Sequence, residues 1–134
     1  MKLSANFDSS EFACSCGCGY QTPDPALVVA LQELRDSVAC PVVILSGCRC
    51  AQHNAAVGGA VHSQHVLGKA ADIRVPGMTA RQVYAATHCI PGLHGFGVSD
   101  QGNFCHVDVR QEPARWCYLN GAEAPWHDQR EVIA

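Results

Sequence analysis

The chemistry available to this chain is concentrated in two short segments built to alternate like strands. In Phe104-Cys105-His106-Val107-Asp108-Val109, the period of two puts His106 and Asp108 on one face, about 6 to 7 Å apart. Cys105, Val107 and Val109 face the other way. The same rule in Ala70-Ala71-Asp72-Ile73-Arg74-Val75 sets Asp72 and Arg74 opposite Ile73 and Val75, so a carboxylate stands off a sheet whose other face is apolar. Pairing the two strands would bring Asp72 close to His106. Seven positions before Asp72 lies His65, in the small-residue, loop-like stretch 58–68 that can fold back over the sheet. Two imidazoles and one carboxylate with an open fourth position suit catalytic zinc, which takes such ligands at about 2.0 to 2.2 Å and activates a water. A His-x-Asp pair on a strand, taken alone, reads more simply as a surface pair or a satisfied hydrogen bond, so the rest of the chain has to decide.

The elements that would position these groups are legible. Asp24 to Val38 places Leu27, Val28, Leu31, Leu34 and Val38 at helical spacing, with Pro23 and Pro25 at the start and Pro41 beyond the end. Val42-Val43-Ile44-Leu45 reads as a buried strand bounded by Pro41 and Ser46-Gly47. Thr79 can cap a second helix, with Gln82 closing the capping box, running to about His88. Gly58-Gly59 breaks the chain between these elements. Two further strands are expected over Ala70 to Val75 and Phe104 to Val109, the latter preceded by the turn-rich Ser99-Asp100-Gln101-Gly102-Asn103. After Pro113, loops and a loosely held tail are expected. With 134 residues, a single domain over 1–134 is expected, least defined after about residue 117.

Composition excludes several classes. Hydrophobic residues make up 48% and charged residues 16%, enough apolar material for a core and too little charge for a disordered chain. A formal net charge of -3 gives no basic field for nucleic acid. No apolar run approaches the roughly 20 residues needed to cross a bilayer, and Met1 to Phe7 lacks the apolar stretch of a secretion signal. Cytoplasmic synthesis is therefore expected, with no nucleic-acid or membrane partner and a monomeric state. Nine cysteines is an odd number, so at least one thiol stays unpaired. Reduced cysteines packed as small apolar groups are the first expectation in a reducing compartment. A second metal site drawn from Cys14, Cys16, Cys18, Cys48 and Cys50 is the next, and disulfides formed after release from the cell the third.

The segment Ser63-x-His65-x-x-Gly68-x-Ala70-x-Asp72, followed by His106-x-Asp108, resembles the signature of the zinc D-alanyl-D-alanine peptidases, the M15 group of metallopeptidases. It is most similar to the short, phage-associated branch that includes cell-wall lytic enzymes. The resemblance runs from about Leu3 to Trp116, taking in Glu11-Phe12-x-Cys14-x-Cys16-Gly17-Cys18-Gly19, Ser46-Gly47-x-Arg49, His53-Asn54, Val57-Gly58-Gly59-Ala60 and Arg115-Trp116. It implies an α+β fold, a small antiparallel sheet with helices packed on one side, like that of the D-alanyl-D-alanine peptidases and hedgehog domains.

By that resemblance His65, Asp72 and His106 are the ligands of one catalytic Zn2+, and Arg49 holds a substrate carbonyl or carboxylate and stabilises an oxyanion. Many relatives carry an acid three residues before the last zinc-binding histidine. Here that position is Asn103, which cannot take up a proton at neutral pH. Asp108 is then expected as general base or as the partner that orients an imidazole, and His94 as proton donor or transition-state stabiliser. Ser63 and Gln64 are expected to shape the ligand loop, and His53 to cap or pack, with lining of the cleft as the alternative. His62, His88 and His127 have no partner at ligand spacing. Core packing is expected for Trp116, while Trp126 falls in a tail with no assigned place.

The implied function is zinc-dependent hydrolysis of a peptide bond in the peptidoglycan stem, as a D-Ala-D-Ala carboxypeptidase or a cell-wall endopeptidase of the endolysin type. The wall would be reached after holin-type release or lysis. Two other classes stand beside it: a non-catalytic zinc-containing module that binds peptidoglycan or is structural, and a cysteine-based metal or redox sensor.

Overall fold

Helix α1 starts where Asp24 accepts from the Ala26 N–H at 2.8 Å and Pro25 supplies a preset φ at the first helical position. It runs Pro25–Val38 and ends on Ala39 in the left-handed conformation. The apolar stripe read from the sequence is the buried one: Leu27, Leu31 and Leu34 are fully enclosed. Each such side chain contributes about 1.5–3 kcal/mol of burial. Helix α3, Ala80–Thr87, follows the Thr79–Gln82 capping box as expected. Between them lies the six-residue α2, Ala51–Ala56, and a 3-10 helix over Ser9–Phe12 precedes α1.

The computed structural model describes residues 1–128. Its sheet has six strands, β1 Val43–Ser46, β2 Ala70–Arg74, β3 Gly95–Ser99, β4 Phe104–Asp108, β5 Ala114–Leu119 and β6 Ala122–Pro125, in the spatial order β1-β2-β4-β3-β5-β6. The fold is α+β. The first four strands pair antiparallel, as expected, but β5 joins β3 in parallel and the β5–β6 hairpin extends the sheet, which is therefore mixed. The loops expected after Pro113 are in fact these two strands. The turn between them is Asn120-Gly121, both at positive φ (53° and 81°), a hairpin connection whose twist matches the strands it joins.

Strand alternation divides the sheet. Ala71, Ile73, Phe96, Val98, Cys105 and Val107 join α1 and α3 in one core cluster, whereas Asp72 and His106 are direct antiparallel partners and line a cleft instead. No described helix is long and apolar enough to cross a membrane.

Two glycines on β3 keep the polar face open. A Cβ at Gly95 would run into the Asp108 carboxylate, its cross-strand partner, and one at Gly97 would sit 2.5 Å from the Trp116 indole nitrogen. Gly95→Ala must displace a fully buried carboxylate, so it should destabilise the fold by about 1–3 kcal/mol in urea unfolding. An unchanged unfolding midpoint would show that Asp108 does not need that space.

Candidate functional site

The site is assembled from the centre of the sheet outward. Register places Asp72 on β2 against His106 on β4, and the loop before β2 folds back so that His65 lies 97% buried beside them. Asp72 Oδ1 is 3.0 Å from His106 Nδ1 and 3.3 Å from His65 Nε2, and the two rings meet nearly edge to face with centroids 5.1 Å apart. One ligand atom from each residue lies within 4.8 Å of the other two, close enough to hold one metal ion.

The far ring nitrogens decide which lone pairs face inward. His65 Nδ1 is 2.8 Å from the Gly47 carbonyl. A carbonyl only accepts, so Nδ1 carries the hydrogen and Nε2 presents a lone pair to Asp72. His106 Nε2 donates to Asp108 Oδ2 at 2.7 Å, which turns Nδ1 inward. A lone pair facing a carboxylate oxygen is repulsive unless a cation sits between them. The donor set of two imidazole nitrogens and one carboxylate fits a borderline divalent metal such as zinc.

The charges follow from these contacts. Burial alone would lower the His106 imidazole, but its bonds to Asp108 and Asp72 push it up to about 9. Burial would raise both carboxyls. The histidines hold Asp72 well below the usual carboxylate range, and His106 and Arg110 do the same for Asp108.

Asp108 is fully buried and saturated. Oδ2 accepts from His106 and from Arg110 Nη2, each at 2.7 Å, and Oδ1 accepts from Arg110 Nε at 2.8 Å and Arg110 N at 3.1 Å. It has no lone pair to spare for a water's proton and lies behind His106 rather than on the cleft wall. Of the two roles expected for it, these contacts suit the orienting partner. His94 stands apart from the cleft lining. It is exposed, its Nδ1 donates to the Arg110 carbonyl at 2.7 Å, and it does not line the cleft.

Arg49 does line the cleft. Its Nη1 donates to Asn54 Oδ1 at 3.0 Å, Nη2 donates to Ser46 Oγ at 3.3 Å, and Nη2 stands 4.0 Å from Asp72 Oδ2. Asn54 in turn donates to the Ala60 carbonyl at 2.8 Å, and a side chain at Gly59 would collide with Asn54. The Val57 to Ala60 segment thus braces the arginine. Ser63 and Gln64 also line the wall, and His53 does not. Asn103 is exposed in the β3–β4 turn, at a φ of 52° that asparagine tolerates.

The cleft measures about 620 Å3, the size of small-ligand sites. Its opposite wall comes from the hairpin that the sequence reading left as loops. Trp116 is half-buried rather than packed in the core. It lies 5.1 Å from the His106 ring, with the Arg110 guanidinium 5.0 Å over it, and its indole N–H is buried without a partner among the described residues. Tyr118 is beside it, and Glu123 supplies the one carboxylate on the cleft wall, among the described residues, besides Asp72. Alternation in Arg115-Trp116-Cys117-Tyr118-Leu119 around Asn120-Gly121 was the available signal for these residues. Trp126 is placed against Tyr84, 4.7 Å between centroids, with Arg115 4.4 Å over its ring. His62 and His88 are exposed.

Four cysteines gather away from the cleft: Cys14, Cys16, Cys18 and Cys50. Cys48, expected with them, is buried in the core cluster instead.

No curated protein matches the chain. Residues 5–108 match the model of the family described as Peptidase M15. That match covers well over half of the sequence and contains all three residues that meet at the centre of the site, so the chain belongs to peptidase family M15.

Proposed function

We propose that this protein is a zinc-dependent peptidase acting on the peptidoglycan stem, either removing a terminal D-alanine or cutting within the stem or its cross-bridge. One observation carries the metal: His65 and His106 are each locked from behind so that an unprotonated nitrogen can face the same Asp72 oxygen. Family membership supports peptide hydrolysis. The choice of stem peptide rests on the resemblance in the sequence and on a cleft sized for a short peptide. Release to the wall after holin action or lysis is part of the same proposal, as is a monomeric state.

Zinc at His65, Asp72 and His106 would supply Lewis acidity, polarising a carbonyl and making a water acidic enough to attack at neutral pH. The protein's own groups do the positioning. Asp108 and Arg110 fix the orientation of the His106 ring, and the Gly47 carbonyl that of His65. Arg49, braced by Asn54, presents its guanidinium beside Asp72, where it can bind a substrate carbonyl or terminal carboxylate and neutralise the oxyanion that develops. Trp116 and Tyr118 offer flat surfaces and an unpartnered indole N–H to a substrate backbone. Glu123 brings a carboxylate to the cleft wall besides Asp72 and is the candidate general base.

The decisive experiment incubates purified protein with defined muropeptides, with and without a chelator, and reads the products by mass spectrometry. Cleavage should stop with the chelator and return with zinc, and His65→Ala should lose activity together with one equivalent of metal. Equal products in both arms would exclude the mechanism. Because Arg49 contacts substrate through a planar fork, Arg49→Lys should lower kcat/KM by about 10- to 100-fold while zinc content stays unchanged. An unaffected kcat/KM would reduce Arg49 to a structural role.

The His106 shift gives a pH test. The folded value of about 9 lies above that of a free imidazole, about 6.5. In the metal-free protein its contribution to stability is therefore complete below about pH 6.5 and is lost as pH rises through about 9, on the order of 3 kcal/mol. With His65, Asp72 and His106 holding zinc, His106 would carry no extra proton and this loss would not arise. Chelated protein should lose stability between pH 6.5 and 9 in urea unfolding relative to the zinc-loaded form, and Asp108→Asn should shrink the difference. Parallel curves would contradict the assignment.

A further inference from the structure

The second cluster lies outside the cleft and does not depend on the peptidase reading. We propose that Cys14, Cys16, Cys18 and Cys50 form a closed, four-thiolate site for a structural zinc-class metal ion that fastens the N-terminal segment to the start of α2.

The four sulfurs all lie within 4.8 Å of one another, with Cys14 Sγ to Cys16 Sγ at 3.4 Å and Cys16 Sγ to Cys50 Sγ at 3.6 Å. Tetrahedral zinc with Zn–S near 2.3 Å needs sulfur–sulfur edges of about 3.8 Å, so small shifts would seat an ion. The turn is built for this. The Gly17 N–H donates to the Cys14 carbonyl at 3.1 Å and the Cys14 N–H to the Tyr20 carbonyl at 2.8 Å. Gly17 and Gly19 take φ values of 81° and 94°, which lets the chain double back and aim three alternate cysteines at one point. The fourth arrives from a distant part of the sequence as the residue capping α2.

Two observations speak against bland packing. Cys16 and Cys18 are exposed, so burial of apolar surface does not account for them. Backbone N–H groups already point at two of the sulfurs, Cys50 N to Cys14 Sγ at 3.4 Å and His53 N to Cys50 Sγ at 3.3 Å, as suits thiolates that carry charge. Thiolates select zinc-class ions over the hard cations, and each thiol that binds gives up its proton to solvent. With protein at all four corners the ion has no open position, so its role is structural. It would hold Cys50 in place immediately after Arg49.

The test uses full-length His65→Ala protein, which lacks the cleft site, purified under reductant and titrated with cobalt(II). One equivalent should bind with an intense thiolate-to-cobalt charge-transfer band, and Cys16→Ser with Cys18→Ser should abolish it. Absence of that band in His65→Ala protein would overturn the proposal, as would its survival in the serine variant. Should the serine variant fail to fold, the unmutated protein supplies a separate readout by alkylation and mass spectrometry. Zinc should slow labelling of the exposed Cys16 and Cys18 by about tenfold or more while exposed Cys89, outside the cluster, labels at an unchanged rate. Equal rates at Cys16 and Cys18 with and without zinc would overturn it.

Discussion

The polar face of this protein is organised around a single oxygen. Asp72 Oδ1 receives one nitrogen from each of two buried imidazoles, and three charged or lone-pair-bearing groups cannot share such a space without a cation. A metal ion held by the three residues would meet the requirement. Much of the surrounding structure supports that arrangement. Asp108 and Arg110 stand behind one ring, the Gly47 carbonyl stands behind the other, and glycines at 95 and 97 leave room on the neighbouring strand.

The asymmetry between the two histidines follows from what supports each. His65 is backed by a neutral carbonyl and His106 by a carboxylate that is itself ion-paired. A carboxylate behind a ring makes its inward nitrogen more basic, hence a stronger competitor for either a proton or a metal. Arg110 tempers this by sharing the negative charge of Asp108, and its guanidinium also covers Trp116. The orienting group, the cleft wall and a charge-balancing cation are thus one packed unit.

What was legible in the sequence was whatever obeys local periodicity. Strand alternation alone puts His106 and Asp108 on one face and Asp72 opposite Ile73, and the structure pairs Asp72 with His106 directly. The α3 capping box of Thr79 and Gln82 and the prolines bounding α1 were equally plain because they rest on chemistry within a few residues. Roles that depend on non-local burial were not. Alternation does not show that Arg110, two residues beyond Asp108, turns back and saturates it, or that the exposed His94 donates to the Arg110 carbonyl. The β5–β6 hairpin is a different kind of miss. Asn120-Gly121 between alternating residues is a strong local signal for a hairpin.

The stretch Ser46 to Cys50 shows how these layers are coupled. Successive residues there serve different regions: Ser46 accepts from the Arg49 guanidinium, the Gly47 carbonyl orients His65, Cys48 is buried in the core, Arg49 faces the cleft and Cys50 joins the thiol cluster. Gly47 itself lies so close to Phe12 that a Cβ would approach its backbone to 2.8 Å, and the Cys48 N–H donates to the Phe12 carbonyl at 2.9 Å. The N-terminal segment is therefore pressed against the one stretch of backbone that sets both a histidine and an arginine of the cleft. A shift of this segment would move His65 and Arg49 together, because the Arg49 N–H also donates to the His65 carbonyl at 3.1 Å. Fastening the cysteine turn to Cys50 would limit such a shift, which gives a thiol cluster outside the cleft a physical route to the geometry within it.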